Sequence, residues 1–163
     1  MEAGDILSGI DSGEYGDSYR DHVIEIYKIY VEMADRISSR RERANSYFLT
    51  INTALVGLVS YLSLSDAGCP FVFTHIPVSI AGIALSYLWY RILKSFRDLN
   101  SAKFRVIHEI ENYLPLAPYG AEWEVVGRGK DKKLYLPFTH IEKIVPWIFI
   151  SLHSFVILRV LFY

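Results

Sequence analysis

The 163-residue chain is 52% hydrophobic and 21% charged, with a net charge of −1. That balance excludes both a wholly soluble domain and a wholly lipid-buried bundle, and predicts a few membrane helices with a modest cytoplasmic part. A single cysteine, Cys69, excludes an intrachain disulfide and a cysteine-based zinc site.

Residues 1–18 are acidic and rich in Gly and Ser, without the basic leader of a signal peptide, and predict a mobile tail. From Tyr19 a helical period sets in. Val23, Tyr27, Tyr30, Ala34 and Ile37 recur at three- and four-residue steps, while Glu25, Lys28, Glu32 and Asp35 fall largely off that line. No proline occurs before Pro70, and no glycine lies between Gly16 and Gly57. One long helix is therefore expected to start in the cytoplasm and run directly into a membrane span.

Residues 44–90 form the membrane hairpin. No Asp, Glu, Lys or Arg stands between Arg43 and Asp66, or between Asp66 and Arg91. Each stretch meets the roughly 20 apolar residues that a bilayer core requires. The turn between them, at 65–70, carries no Lys or Arg. Basic residues crowd the outer flanks instead: Arg36, Arg40, Arg41 and Arg43 before, then Arg91, Lys94, Arg97, Lys103 and Arg105 after. An excess of Lys and Arg marks the cytoplasmic side, so both flanks and the N-terminus should lie inside. Arg36, Arg40, Arg41, Arg43, Arg91, Lys94 and Arg97 would then sit at lipid headgroups or at a cytoplasmic mouth. Cys69, outside, would either bridge two subunits or stand unpaired.

In the first span, Ser46, Thr50, Thr53, Gly57 and Ser60 repeat at steps of four and three and so share a helix face, with Asn45 and Asn52 beside it. Ser79, Gly82 and Ser86 make a comparable line in the second. Lipid offers helices no hydrophobic reason to associate, so small and polar residues serve close approach and interhelical hydrogen bonding. The two lines either pack, within the hairpin or between subunits, or one face lines a hydrated path. No charge marks a path inside either span.

Pro77 predicts a kink near the outer end of the second span, and Tyr61, Tyr87, Trp89 and Tyr90 fall near the interfaces. Residues 91–114 continue helically, with Ile92, Phe96, Leu99, Ile107, Ile110 and Leu114 offering a stripe to the one on 23–37. The first helical region thus extends over 19–115. For 116–138 the pattern predicts a loop or a short β-hairpin pairing 124–126 with 134–136 across Gly127–Lys130. Thr139 and Glu142 form a capping-box pattern that begins a hydrophobic helix over 139–163. Ser151, His153, Ser154 and Arg159 are costly in lipid, so this helix is either a third span or buried at an interface. The fold class is an all-α integral membrane protein.

Chemistry-bearing motifs are few. Gly127–Lys130 fails the phosphate-loop pattern, because Glu124 stands where its first glycine belongs and Asp131 where Ser or Thr belongs. The histidines, at 22, 75, 108, 140 and 153, include no pair three or four residues apart and no zinc-protease motif. The Arg, four to six residues, then His spacing of HEPN ribonucleases is met neither from Arg105 nor from Arg97 to His108. Arg97, Lys103, Arg105 and His108 read instead as an inner-leaflet or subunit-facing surface. Glu42, Asp98, Glu109 and Glu111 offset the basic residues locally, so no direct nucleic-acid binding is expected. Neither a cofactor nor enzymatic activity is expected.

The runs at 27–41 and 44–55 resemble a bacterial inner-membrane family. So do Trp89-Tyr90-Arg91 with 97–104, and 116–119 with Ala121-Glu122-Trp123. The family is the RipA-like octameric membrane proteins, similar to the pore-forming accessory protein of type VI-B CRISPR systems, and the likeness covers about 27–147. It implies a homo-oligomer of eight subunits in the bacterial cytoplasmic membrane, surrounded by lipid and forming a pore in phage defence or stress. The HEPN-like motif described for the CRISPR relative is not reproduced. Under the pore reading, Asn45, Ser46, Thr50, Asn52, Thr53, Gly57 and Ser60 line the path or pack helices. The alternative is a non-conducting scaffold or adaptor that organises an unidentified cytoplasmic partner at the membrane.

Overall fold

A computed structural model describes residues 7, 9–10, 12–64, 71–130 and 142–162. These residues form helices α1 (Ser12–Tyr15), α2 (Tyr19–Leu64), α3 (Phe71–Glu111), α4 (Pro118–Val125) and α5 (Ile144–Phe162), plus a 3-10 turn at Gly127–Gly129. No strand occurs among the described residues. The expected uninterrupted helix is present: α2 runs 46 residues from Tyr19, with no proline to remove a backbone donor. α3 continues through Pro77. α2, α3 and α5 are each long and apolar enough to cross a membrane.

The chain divides into two compact units. The first comprises Met1–Ser39 and Phe96–Pro137, the second Arg40–Ser95 and Phe138–Tyr163.

In the first unit α2 turns the expected stripe inward. Ala34 and Ile37 are buried, as are Ile107 and Ile110 of α3, while Val23, Tyr27 and Tyr30 are half-buried. Lys103 seals the pair by laying its ammonium 5.0 Å from the Tyr30 ring centroid, a cation–π geometry. Leu99, assigned to the stripe by spacing, is instead half exposed. Of the expected N-terminal tail, 1–6, 8 and 11 lie outside the described residues. α1 folds back so that Tyr15 Oη lies 2.7 Å from His22 Nδ1.

Within 116–138, the described part, up to Lys130, departs from the loop or β-hairpin reading. Glu124 and Val125 close helix α4 rather than forming a strand, and 134–136 lie outside the described residues. Two causes act together. Pro118 occupies the first turn, where its missing N–H costs nothing. The next two amides are then capped from outside the helix, as described below.

In the second unit Phe48, Trp89 and Leu93 form the core, joined by Leu85, Ile92, Val145 and Phe149. Phe48 and Trp89 stack with centroids 6.0 Å apart, and Phe149 of α5 meets Trp89 at 6.3 Å. α5 therefore packs on the hairpin. Its polar residues are accommodated rather than left in lipid. Ser151 donates to the Trp147 carbonyl at 2.9 Å, and His153 is buried against Gly82 of α3. Arg159 falls in the last turn, where a long side chain can reach the interface.

Candidate functional site

The polar residues of the first span divide into two sets. Asn45 and Asn52, seven residues apart, point into the second unit. Ser46, Thr50, Thr53, Gly57 and Ser60, about 100° further round the helix, are exposed on the outside of the protomer. Which set turned inward depended on partners in α3 and beside α5.

Asn45 joins three segments. Its Oδ1 accepts from Trp89 Nε1 at 2.8 Å, and its Nδ2 donates to Glu142 Oε1 at 2.8 Å. The other Glu142 oxygen lies 3.6 Å from Arg41 Nε. Deeper in, fully buried Asn52 donates to the Phe48 carbonyl at 2.9 Å and accepts from Ser86 Oγ at 2.7 Å. Near the far end, Ser63 donates to the Val59 carbonyl at 2.8 Å and lies 2.9 Å from His75 Nε2. His75 Nδ1 lies 2.9 Å from Thr74 Oγ1, so both ring nitrogens have hydroxyl neighbours. Polar groups with partners thus recur along the inside of the hairpin, where an unpaired group is costly. Between Asn52 and His75, Ser79 Oγ and His153 Nε2 are buried and without a hydrogen-bond partner among the described residues.

On the outer face two of the hydroxyls bond to their own helix. Thr50 Oγ1 donates to the Ser46 carbonyl at 2.8 Å, and Ser60 Oγ to the Val56 carbonyl at 2.9 Å. Gly57 has open space where a Cβ would stand. The Ser79, Gly82, Ser86 line is buried inside the protomer, so the two small-residue lines do not meet within the hairpin.

The flanking cations have mixed surroundings. Arg36 pairs with Glu32 at 2.6 Å, and Arg97 reaches Asp98 through two nitrogens at 3.0 and 2.8 Å. Arg91 donates to Tyr87 Oη at 3.3 Å. Arg40, Arg43 and Lys94 are exposed, and Arg41 is half-buried beside Glu142.

The first unit holds a second polar centre, which spacing alone did not single out. Glu111 is 3% exposed. Its two oxygens accept from the backbone amides of Tyr119 and Gly120, each at 2.9 Å, and Oε1 also accepts from Tyr27 Oη at 3.1 Å. A carboxylate at the first turn of α4 satisfies donors the helix leaves open and complements its dipole. Pro118 was the sequence signal for this helix start; the cap itself comes from the preceding helix. Burial and the neighbouring carboxylate push the Tyr27 phenol up to about 12. The protonated phenol therefore contributes its full stabilisation below about pH 10, the free-tyrosine value, and loses it as pH rises towards 12. The stability advantage of wild type over Tyr27→Phe, measured by thermal denaturation against pH, should hold constant to pH 10 and shrink above it.

Beyond this centre a cavity of about 640 Å³ opens between α3 and α4, walled by Phe104, Tyr119 and Trp123, with Asn100, Arg105 and His108 on one helix and Glu122 on the other. No group of three or more residues among the described ones is arranged to hold a metal ion.

The model of the octameric membrane protein family (8xMP) matches residues 24–162. The chain belongs to this family. No curated protein and no solved structure matches it significantly. Membership agrees with three apolar helices of spanning length and identifies an oligomeric membrane protein, with the family suggesting a homo-oligomer. In such an assembly the inward residues Asn45 and Asn52 already have partners in their own chain, whereas the Ser46–Ser60 line has its side chains outside the protomer.

Proposed function

We propose that the chain assembles as a homo-oligomeric pore in the bacterial cytoplasmic membrane, N-terminus inside, and acts in defence or stress response rather than as an enzyme. The observation that carries this reading is the outward line of Ser46, Thr50, Thr53, Gly57 and Ser60 in a charge-free span. Lipid gives no reason to place small and hydroxylated residues together on an outer face. In a ring, such a face either abuts the next protomer or borders an axial path. The RipA-like runs support the pore and defence assignment, and the basic flanks support the orientation.

Potassium flux through protein reconstituted in liposomes tests the proposal. Thr50→Leu and Thr53→Leu should suppress flux while leaving the oligomer intact on size exclusion. Asn52→Leu should lower stability instead, because it strands Ser86 without its acceptor. Liposomes that stay tight across voltage and lipid composition would sink the pore and leave the non-conducting scaffold.

A further inference from the structure

We infer that the cavity between α3 and α4 is a binding site for a mononucleotide, a planar base carrying a phosphate. Its volume, about 640 Å³, lies within the range of small-ligand pockets, which combine apolar walls with a few convergent polar groups.

The walls suit a flat ring. Phe104 and Tyr119 lie with centroids 5.6 Å apart at 59°, leaving a concave aromatic corner rather than a closed stack. Trp123 completes it and lies close to the turn that follows α4. Gly127, Arg128 and Gly129 all adopt positive φ, at 65°, 54° and 67°. This backbone is uncommon for arginine and is often kept where structure serves a site. At Gly129 a Cβ would press on the Trp123 indole at 3.2 Å, so the turn backbone runs close against the ring. The turn is held by the Arg128 guanidinium on Glu124, a bond that also keeps the Glu124 carboxyl below the usual carboxylate range.

The polar groups suit a base and a phosphate. Among the described residues Arg105 is the one permanent cation lining the cavity, with His108 one turn along the same helix. Guanidinium binds phosphate with two parallel hydrogen bonds. Asn100 Oδ1 is buried without a hydrogen-bond partner among the described residues, although it lines the space. Buried acceptors in native proteins are normally paired. Asn100 and the Glu122 carboxylate both accept, so they complement ring N–H and exocyclic amino groups. Aromatic faces, one cation and two acceptors together describe a nucleotide better than a fatty acid, a sugar or a metal.

The inference is separate from conduction, because binding is read without flux. Detergent-solubilised full-length protein is titrated calorimetrically with AMP, GMP, CMP and UMP, with adenosine and a six-residue oligoadenylate as further arms. At least one mononucleotide should bind saturably. Trp123→Ala should weaken it by about tenfold or more, as loss of a base-stacking platform does. Trp123→Phe should retain most of the affinity, which separates stacking from misfolding. Arg105→Gln should abolish the preference for AMP over adenosine. Failure of all four mononucleotides to bind overturns the proposal. So does binding by the oligonucleotide alone, or affinity indifferent to both Trp123→Ala and Arg105→Gln.

Discussion

Gly82→Ala is expected to destabilise the protein, against the usual sign of that exchange. In a helix interior alanine is ordinarily favoured over glycine by about 0.5–1 kcal/mol. Here a Cβ at position 82 would overlap three atoms of the His153 imidazole. His153 is 1% exposed, so the ring has little room to move aside. Overpacking of this kind typically costs about 1–3 kcal/mol, and Gly82→Val should cost more than Gly82→Ala. Unfolding followed in detergent measures the difference. The decisive comparison is Gly82→Ala with His153→Ala, where the space vacated by imidazole admits the new methyl. The double variant should therefore be more stable than the sum of the single effects requires. A stabilising Gly82→Ala in the wild-type background would show that α5 does not seat on α3 through this pair.

Glu111→Ala should release α4. The substitution removes acceptors from two backbone amides and from the Tyr27 hydroxyl at once. Stranding donors at a buried site costs about 1–3 kcal/mol, and water can reach part of this helix start, so a loss near 2 kcal/mol is expected. Glu111→Gln keeps one acceptor oxygen and should lose about half as much. Limited proteolysis gives the local readout: cleavage within 115–126 should accelerate in Glu111→Ala, with a red shift in Trp123 emission against a Trp123→Phe control. Unchanged cleavage in that segment would mean that α4 is held by its aromatic contacts alone.

The long helices were legible in the sequence because they answer to local rules. Charge-free runs of spanning length, no interrupting proline in α2 and a regular apolar stripe specify them without reference to distant residues. α4 was not legible, because its eight residues carry too little period and its cap is donated by Glu111 of another helix. α5 was ambiguous for a related reason. Whether His153 excludes a helix from a membrane depends on a glycine seventy-one positions earlier, and sequence spacing is silent on that meeting. The sorting of the first span had the same limit. Both polar faces of α2 look suitable for packing, and only Trp89, Ser86 and Glu142 decide that the asparagine face turns inward. The cavity combines a helix read as a surface with a stretch read as loop, so its aromatic corner had no one-dimensional signature.

The side chain of Asn45 gives one hydrogen bond and takes another, and the two are not interchangeable. Its oxygen faces an indole N–H that can only donate, and its nitrogen faces a carboxylate. Aspartate has nearly the same shape but replaces that nitrogen by oxygen, setting two carboxylates against each other where Glu142 now receives a proton donor. Leucine has similar bulk and supplies neither group. Position 45 therefore tolerates neither of its nearest isosteres. A single amide, chemically directional, distinguishes the correct meeting of three segments from every rotated or shifted one.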